Sequence, residues 1–282
     1  MPPLEFFLIT FVSAIGAGIL GALLGLGGGI IVIPVLTLAL GVDIHYAIGA
    51  SIVSVIATSS GAAATYVRDR ITNLRIGMFL EMATTTGAIT GAYIGGLISG
   101  SVLYLIFAVV LAYSGFMMFR KRHVEIPTDV PDSKLATTLR MHGGYYDTAL
   151  KQHVNYRVAG VVPALGLMYV AGVVSGLLGI GSGALKVPAM DLAMHLPMKV
   201  SSATSNFMIG VTAAASAGIY FMRGDIQALI AAPVAMGVLI GATAGTRLLM
   251  RLRGTVIRQI FVVVLVVICA EMLGRGLGIQ LR

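Results

Sequence analysis

Residues 25–34 read GLGGGIIVIP, and residues 179–188 read GIGSGALKVP. Gly25, Gly27, Gly29 and Pro34 of the first phrase recur as Gly179, Gly181, Gly183 and Pro188 of the second, at the same spacing. Each copy sits inside a long apolar region. Lipid satisfies no exposed backbone group, so irregular backbone at membrane depth persists only against protein or along a water-filled cavity. A glycine-interrupted segment at corresponding places in two halves is the best pointer a sequence offers to a transport site.

The surrounding composition is that of a membrane protein. The 282 residues are 57% hydrophobic and 11% charged, with a mean hydropathy of +0.96, whereas a soluble domain carries about 25% charged residues. Stretches 6–42, 82–119 and 158–185 contain no charged residue or histidine. One crossing takes roughly 20 apolar residues, so the two longest stretches each hold two segments. The chain reads as a polytopic α-helical membrane protein. Its net charge of +8 resides mostly in loops, as positive cytoplasmic loops require, and implies no nucleic-acid partner. The single Cys269 excludes an internal disulfide and a cysteine-based metal site. MPPLEFF lacks a basic n-region, so the first apolar stretch is expected to remain as a membrane segment.

Ten segments follow, at about 4–24, 29–42, 45–67, 76–98 and 101–119, then 158–178, 183–195, 199–222, 226–248 and 255–274. They divide the chain into a first transmembrane repeat (1–119), a linker (120–157) and a second repeat (158–282). The second segment of each repeat has about 13 residues, about 20 Å of helix, too short for a bilayer core of about 30 Å. It is either a half-helix returning from the glycine turn or a tilted short span. The repeat extends further: Gly49-Ala50-Ser51 faces Ala203-Thr204-Ser205, and Tyr66 faces Tyr220 at the same offset. Gly87, Gly91 and Gly95 face Gly237, Gly241 and Gly245 at an offset shorter by four.

Charge gives the relative orientation of the halves. Arg68, Arg70 and Arg75 follow the third segment of the first half, and the next tip, Ser99-Gly100-Ser101, is neutral. In the second half Arg223 is balanced by Asp225, and the next loop carries Arg247, Arg251, Arg253 and Arg258. Two five-segment inverted repeats are therefore expected, with the linker after Arg120-Lys121-Arg122 in the cytoplasm and both termini outside. Arg275 and Arg282 run against that orientation. The linker histidines His123, His142 and His153, with no CxxC or HExxH, read as surface residues rather than metal ligands. MHGGYYDTALKQHVNYR is expected to pack on the cytoplasmic face.

Candidate site residues cluster at the two phrases. Glycine permits positive φ and close approach of a ligand to the backbone. A helix start offers unpaired N–H groups and a partial charge of roughly +0.5. Two such starts meeting across a pseudo-two-fold axis would hold an anion, through Gly27, Gly28, Gly29, Gly181, Ser182 and Gly183. The competing reading is close helix packing. Lys186 is either an anion ligand whose ammonium leans back over the turn or a lysine snorkelling to an interface. As a ligand it brings the expected charge of the site to about +2. The third segments supply hydroxyls and an amide, including Ser54 and Thr58, and most persuasively Ser51, Ser205 and Asn206. Asp191 and His195 are spaced to pair on a short helix, and Asp43 and His45 to cap segment ends. No Walker A sequence is present, no matched pair of intramembrane carboxylates stands out, and no cofactor is implied.

GLGGGIIVIP, the GAS and ATS triplets after the two phrases, and GIGSGALKVPAM followed by SSATSNF resemble the sulfite exporter TauE/SafE family of membrane transporters. GGYYD in the linker fits the same family. The resemblance implies an all-α multi-pass protein of the cell membrane, in bacteria the cytoplasmic membrane. It also implies carriage of sulfite, sulfoacetate or another sulfonate, and supports the paired glycines with Ser51 and Ser205. Lys186 rests on its position alone. An alternating-access carrier is the leading reading. A membrane phosphatase or lipid-modifying enzyme, or a passive anion channel, are the alternatives. The expected partners are the anion and the bilayer; a homodimer is compatible with the sequence and not required by it.

Overall fold

The computed structural model describes residues 3–120, 130–131 and 133–276. Lys121, Arg122, His123 and Arg282, invoked above, lie outside the described residues. Helix α1 (Pro3–Leu24) ends at the first glycine turn, and α2 (Gly29–Pro34) leaves it. Pro34 has no N–H for the carbonyl four residues back, and the helix loosens into a π-helical stretch, Val35–Ala39, just beyond it. Then come α3 (Ile44–Arg68), α4 (Leu74–Gly95) and α5 (Gly100–Arg120). Asp43 caps α3 by accepting from the His45 amide at 2.9 Å, and its carboxylate also pairs with the His45 ring. Asn73 caps α4.

The second half repeats this order with α7 (Val161–Leu178), α8 (Gly183–Ala193), α9 (Met198–Met222), α10 (Ala228–Arg251) and α11 (Gly254–Gly276). Helix α8 starts at Gly183 and carries Pro188 inside it. Since α8 stops at Ala193, His195 lies beyond the helix, and the helical spacing expected for Asp191 and His195 is not realised. Among the described residues, six helices are long and apolar enough to cross a membrane: Leu4–Leu24, Ile44–Arg68, Val161–Leu178, Met198–Met222, Ala228–Arg251 and Gly254–Gly274. The chain is thus a mostly helical, polytopic membrane protein.

The linker departs from an all-α reading. It holds α6 (Lys134–Thr138) and an antiparallel hairpin of β1 (Gly143–Asp147) and β2 (Gln152–Tyr156). The hairpin is fastened to the helices by buried polar contacts. Asp147 Oδ1 accepts from Lys199 Nζ at 2.8 Å, both side chains being 3% exposed. Asn73 Nδ2 donates to the Met141 carbonyl at 2.8 Å and to the Tyr156 hydroxyl at 3.0 Å. Burial raises the Tyr156 hydroxyl pKa, and the Asn73 hydrogen bond offsets this only in part. The phenol therefore stays protonated at physiological pH.

Packing interleaves the halves. Helix α1 lies on α10, α7 on α4, α5 on α11, and α3 on α9. Glycines line the closest crossings. A Cβ on Gly241 would strike the Ile15 carbonyl, and one on Gly245 the Ile19 carbonyl. Equivalent Cβ atoms on Gly87 and Gly91 would strike the carbonyls of Tyr169 and Val173. One offset of 154 residues carries each contact of the second pair onto the first, and it is the offset of the glycine phrases. The shorter offset expected for the glycine triplets is therefore incorrect: Gly87 corresponds to Gly241 and Gly91 to Gly245. The same offset relates the buried Phe107 to the buried Phe261 and Leu111 to Leu265.

The loops sort to two ends. Arg68 and Asp69 share a cavity of about 410 Å³ with Thr148 of the linker and with Arg247 and Arg251 of α10. At the far end of α4, Arg223 Nη1 donates to the Ala92 carbonyl at 2.9 Å. The arginine-rich loops of both halves therefore lie together at one end, and the α9–α10 loop lies with the end of α4 at the other.

Candidate functional site

The two glycine phrases form two left-handed turns that meet at the centre of the helices. Gly25, Gly27 and Gly28 have φ of +72°, +76° and +75°, and Gly179, Gly181 and Ser182 have +63°, +76° and +57°. Such values suit glycine and strain a side chain, so Ser182 is the exception. Its hydroxyl donates to the Gly181 carbonyl at 2.7 Å. Both turns abut the same two side chains: Val55 and Ile209 flank Gly27 and also Gly181. These side chains occupy corresponding positions of α3 and α9.

The hydroxyls of α3 and α9 tie the turns to the opposite half. Ser51 Oγ donates to the Gly179 carbonyl at 2.8 Å, and Ser205 Oγ to the Gly25 carbonyl at 2.7 Å. Within each half, Tyr66 donates to the Ala22 carbonyl and Tyr220 to the Gly176 carbonyl, one turn earlier. These groups cap carbonyls left without an intrahelical donor where α1 and α7 end. Asn206 Nδ2 also donates to the Ala22 carbonyl, at 2.7 Å, while its Oδ1 has no partner among the described residues.

The glycines differ in what they face. A Cβ on Gly29 would strike Ser51 Oγ, and one on Gly183 would strike the Gly25 carbonyl, so these two permit close packing. Gly28 faces polar atoms instead. A Cβ there would lie 3.2 Å from Thr58 Oγ1 and 3.4 Å from Ser54 Oγ. Both hydroxyls are fully buried, with no hydrogen-bond partner among the described residues. Unpaired buried hydroxyls are uncommon and call for a ligand or water.

The second half fills the matching place with charge. Lys186 is fully buried, so it does not snorkel. Its ammonium has protein partners of its own. It lies 3.3 Å from Glu81 Oε2 and 2.5 Å from Thr212 Oγ1. Thr212 also lies 2.5 Å from Glu81 Oε1, and Thr84 and Thr85 donate to the same carboxylate at 2.9 and 3.0 Å. The ion pair corrects the expected charge of about +2, because Glu81 neutralises Lys186 and leaves only the partial charges of the helix starts, about +1 together. Thr212 corresponds to Thr58, Lys186 to Val32 and Glu81 to Ala235, so the first half has the hydroxyl without the ion pair. Glu81 went unrecognised in the sequence because its partner is 105 residues away and because Arg75 and the loop charges stand shortly before it in the chain.

The candidate residues thus occupy one buried region, split between a neutral polar niche at Gly28 and an ion pair on α4, α8 and α9. Across this whole architecture, the family described as sulfite exporter TauE/SafE matches residues 10–272. The chain belongs to the TauE/SafE family. It is a multi-pass membrane transporter of that family rather than an enzyme. It is similar to the probable membrane transporter protein YunE of Bacillus subtilis (strain 168), with 28% identity over 96% of this chain and 98% of that protein. It is also similar to a probable membrane transporter protein of Xylella fastidiosa (strain 9a5c), with 26% identity over 97% of each chain. No solved structure matches this TauE/SafE chain.

Proposed function

We propose that this TauE/SafE transporter is a secondary carrier that moves a small sulfur-containing anion, such as sulfite, sulfoacetate or another sulfonate, across the cytoplasmic membrane by alternating access. The observation that carries the reading is the buried junction of the two left-handed turns, with the unpartnered Ser54 and Thr58 hydroxyls aimed at Gly28. Hydroxyl and amide donors suit a sulfonate or sulfite oxygen, which accepts hydrogen bonds and needs no metal. Gly27, Gly28, Gly29, Ser51, Gly181, Ser182, Gly183, Lys186, Ser205 and Asn206 make up the site in this reading, with Ser54 and Thr58 as direct donors. An inverted repeat is supported by the single 154-residue register and by the gathering of both arginine-rich loops at one end. That end is the cytoplasmic one by the excess of positive charge. Rocking of one interleaved pair of helices against the other would open the junction alternately.

A thermal-shift screen of the purified protein against sulfite, sulfoacetate, taurine, sulfate and phosphate tests the substrate class. A ligand at 100 times its Kd stabilises by about 2.7 kcal/mol. The sulfur anions are expected to raise the melting temperature more than phosphate does. No shift with any sulfur compound counts against the proposal. Single-channel currents far above carrier turnover would replace alternating access with passive conduction.

A further inference from the structure

We propose that Glu81 is the proton-binding site that couples transport to the proton gradient, taking one proton for each monovalent anion that binds beside Lys186. The inference rests on the transporter reading above and adds to it the co-transported ion and the charge of the substrate.

The ion pair is neutral by itself. The Glu81 carboxylate and the Lys186 ammonium compensate each other on α4 and α8, with Thr212 of α9 between them. Both side chains are buried, where an uncompensated charge is costly. An arriving monoanion would give the pair a net charge of −1. One proton restores neutrality. It forms an O–H bond on a Glu81 carboxylate oxygen, the Glu81–Lys186 ionic contact breaks, and the ammonium keeps its own proton while it turns to the anion. Thr212 is suited to both states because a hydroxyl donates to a carboxylate and accepts from an ammonium or a carboxylic acid. Thr84 and Thr85 hold the carboxyl group in place throughout.

Among the described residues, the helices packed against α4 carry few other titratable groups. Of the helices against α4, α7 carries only Tyr169, which is 42% exposed. Helix α9 carries Lys199, bound to Asp147 at its start, and Tyr220, bound to the Gly176 carbonyl at its end. Asp191 of α8 lies five residues beyond Lys186. The positions that the repeat relates to Lys186 and Glu81 hold Val32 and Ala235, so the repeat does not duplicate the pair. One proton per monoanion makes transport electroneutral and narrows the sulfur anions proposed above to monoanions, such as hydrogensulfite or an alkanesulfonate, disfavouring dianions such as sulfate and sulfoacetate.

The test uses methanesulfonate, a permanent monoanion whose own protonation cannot supply the coupling proton, and separately sulfite, with the full chain in proteoliposomes. A pH gradient of one unit is expected to drive about tenfold accumulation of methanesulfonate. A pH dye should report one proton moved per anion, and a potassium diffusion potential should leave accumulation unchanged. Glu81→Gln is expected to keep methanesulfonate exchange between the two sides and to lose accumulation driven by pH. Full accumulation by Glu81→Gln overturns the proposal. So does wild-type uptake that moves no protons or follows the membrane potential, a measurement that stands even if the variant does not fold. Transport of neither methanesulfonate nor sulfite by the wild type overturns the transporter reading and this inference together; anion transport without proton movement overturns the inference alone.

Discussion

Lys186 shows how a single residue is read differently once its neighbours are known. The sequence marks it as expensive and therefore functional, but offers no partner, because Glu81 stands beside loop charges and meets it only through the packing of α4 on α9. The ion pair changes what a substitution should do. Lys186→Met leaves Glu81 buried without its countercharge, a loss of about 3–5 kcal/mol. Lys186→Met with Glu81→Gln should recover most of that loss in thermal melts in detergent, since neither charge is then left alone. A single variant as stable as wild type would mean that Glu81 is already neutral. Gly28 was legible without neighbours, because its φ of +75° follows from the glycine string. Gly28→Leu adds strain and fills the space before Thr58 and Ser54. The expected outcome is correct insertion with sulfite uptake reduced at least about 100-fold, equivalent to about 3 kcal/mol. Unaltered uptake would leave the turn with a packing role only.

At the scale of elements, the sequence shows the long helices and the two broken ones clearly, because charge-free runs and glycine phrases bound them. It conceals three things. The π-helical stretch after Pro34 depends on how a freed carbonyl is re-satisfied, which proline alone does not dictate. The linker hairpin has strands of five residues, too short for the alternation of Tyr145, Tyr146 and Asp147 to stand out. The register of the last glycines is concealed for another reason. Glycines spaced by four map onto one another after a slip of four, so Gly87 matches Gly237 or Gly241 equally well in sequence. Only the carbonyls they touch choose between them. Those contacts predict the cost of disruption. Gly91→Leu must push α4 from the Val173 carbonyl of α7. It should lower the melting temperature, as Gly245→Leu should at Ile19, whereas Gly166→Leu faces open space and should be neutral. Equal melting of all three would count against backbone contact as the basis of the packing.

For the whole molecule, the arrangement of loops makes a topological prediction. Single cysteines at Arg70 and Arg251 should label from one side of the membrane and cysteines at Ser99 and Asp225 from the other, in a Cys269→Ala background. Ser99 and Arg251 reacting from the same side would exclude inverted halves. The charge pattern suggests this arrangement but says nothing of the pairing of helices across the halves, because hydropathy does not say which apolar face meets which. That pairing has a consequence for biosynthesis. Helix α1 rests mainly on α10, far along the chain. At about 5–20 residues per second, its partner leaves the ribosome roughly 10–40 s after α1 itself does. Through that interval the α1 surface destined for Gly241 and Gly245 faces lipid or a chaperone. Release of a truncated chain before α10 would leave the first half inserted yet unassembled, a natural substrate for membrane proteolysis.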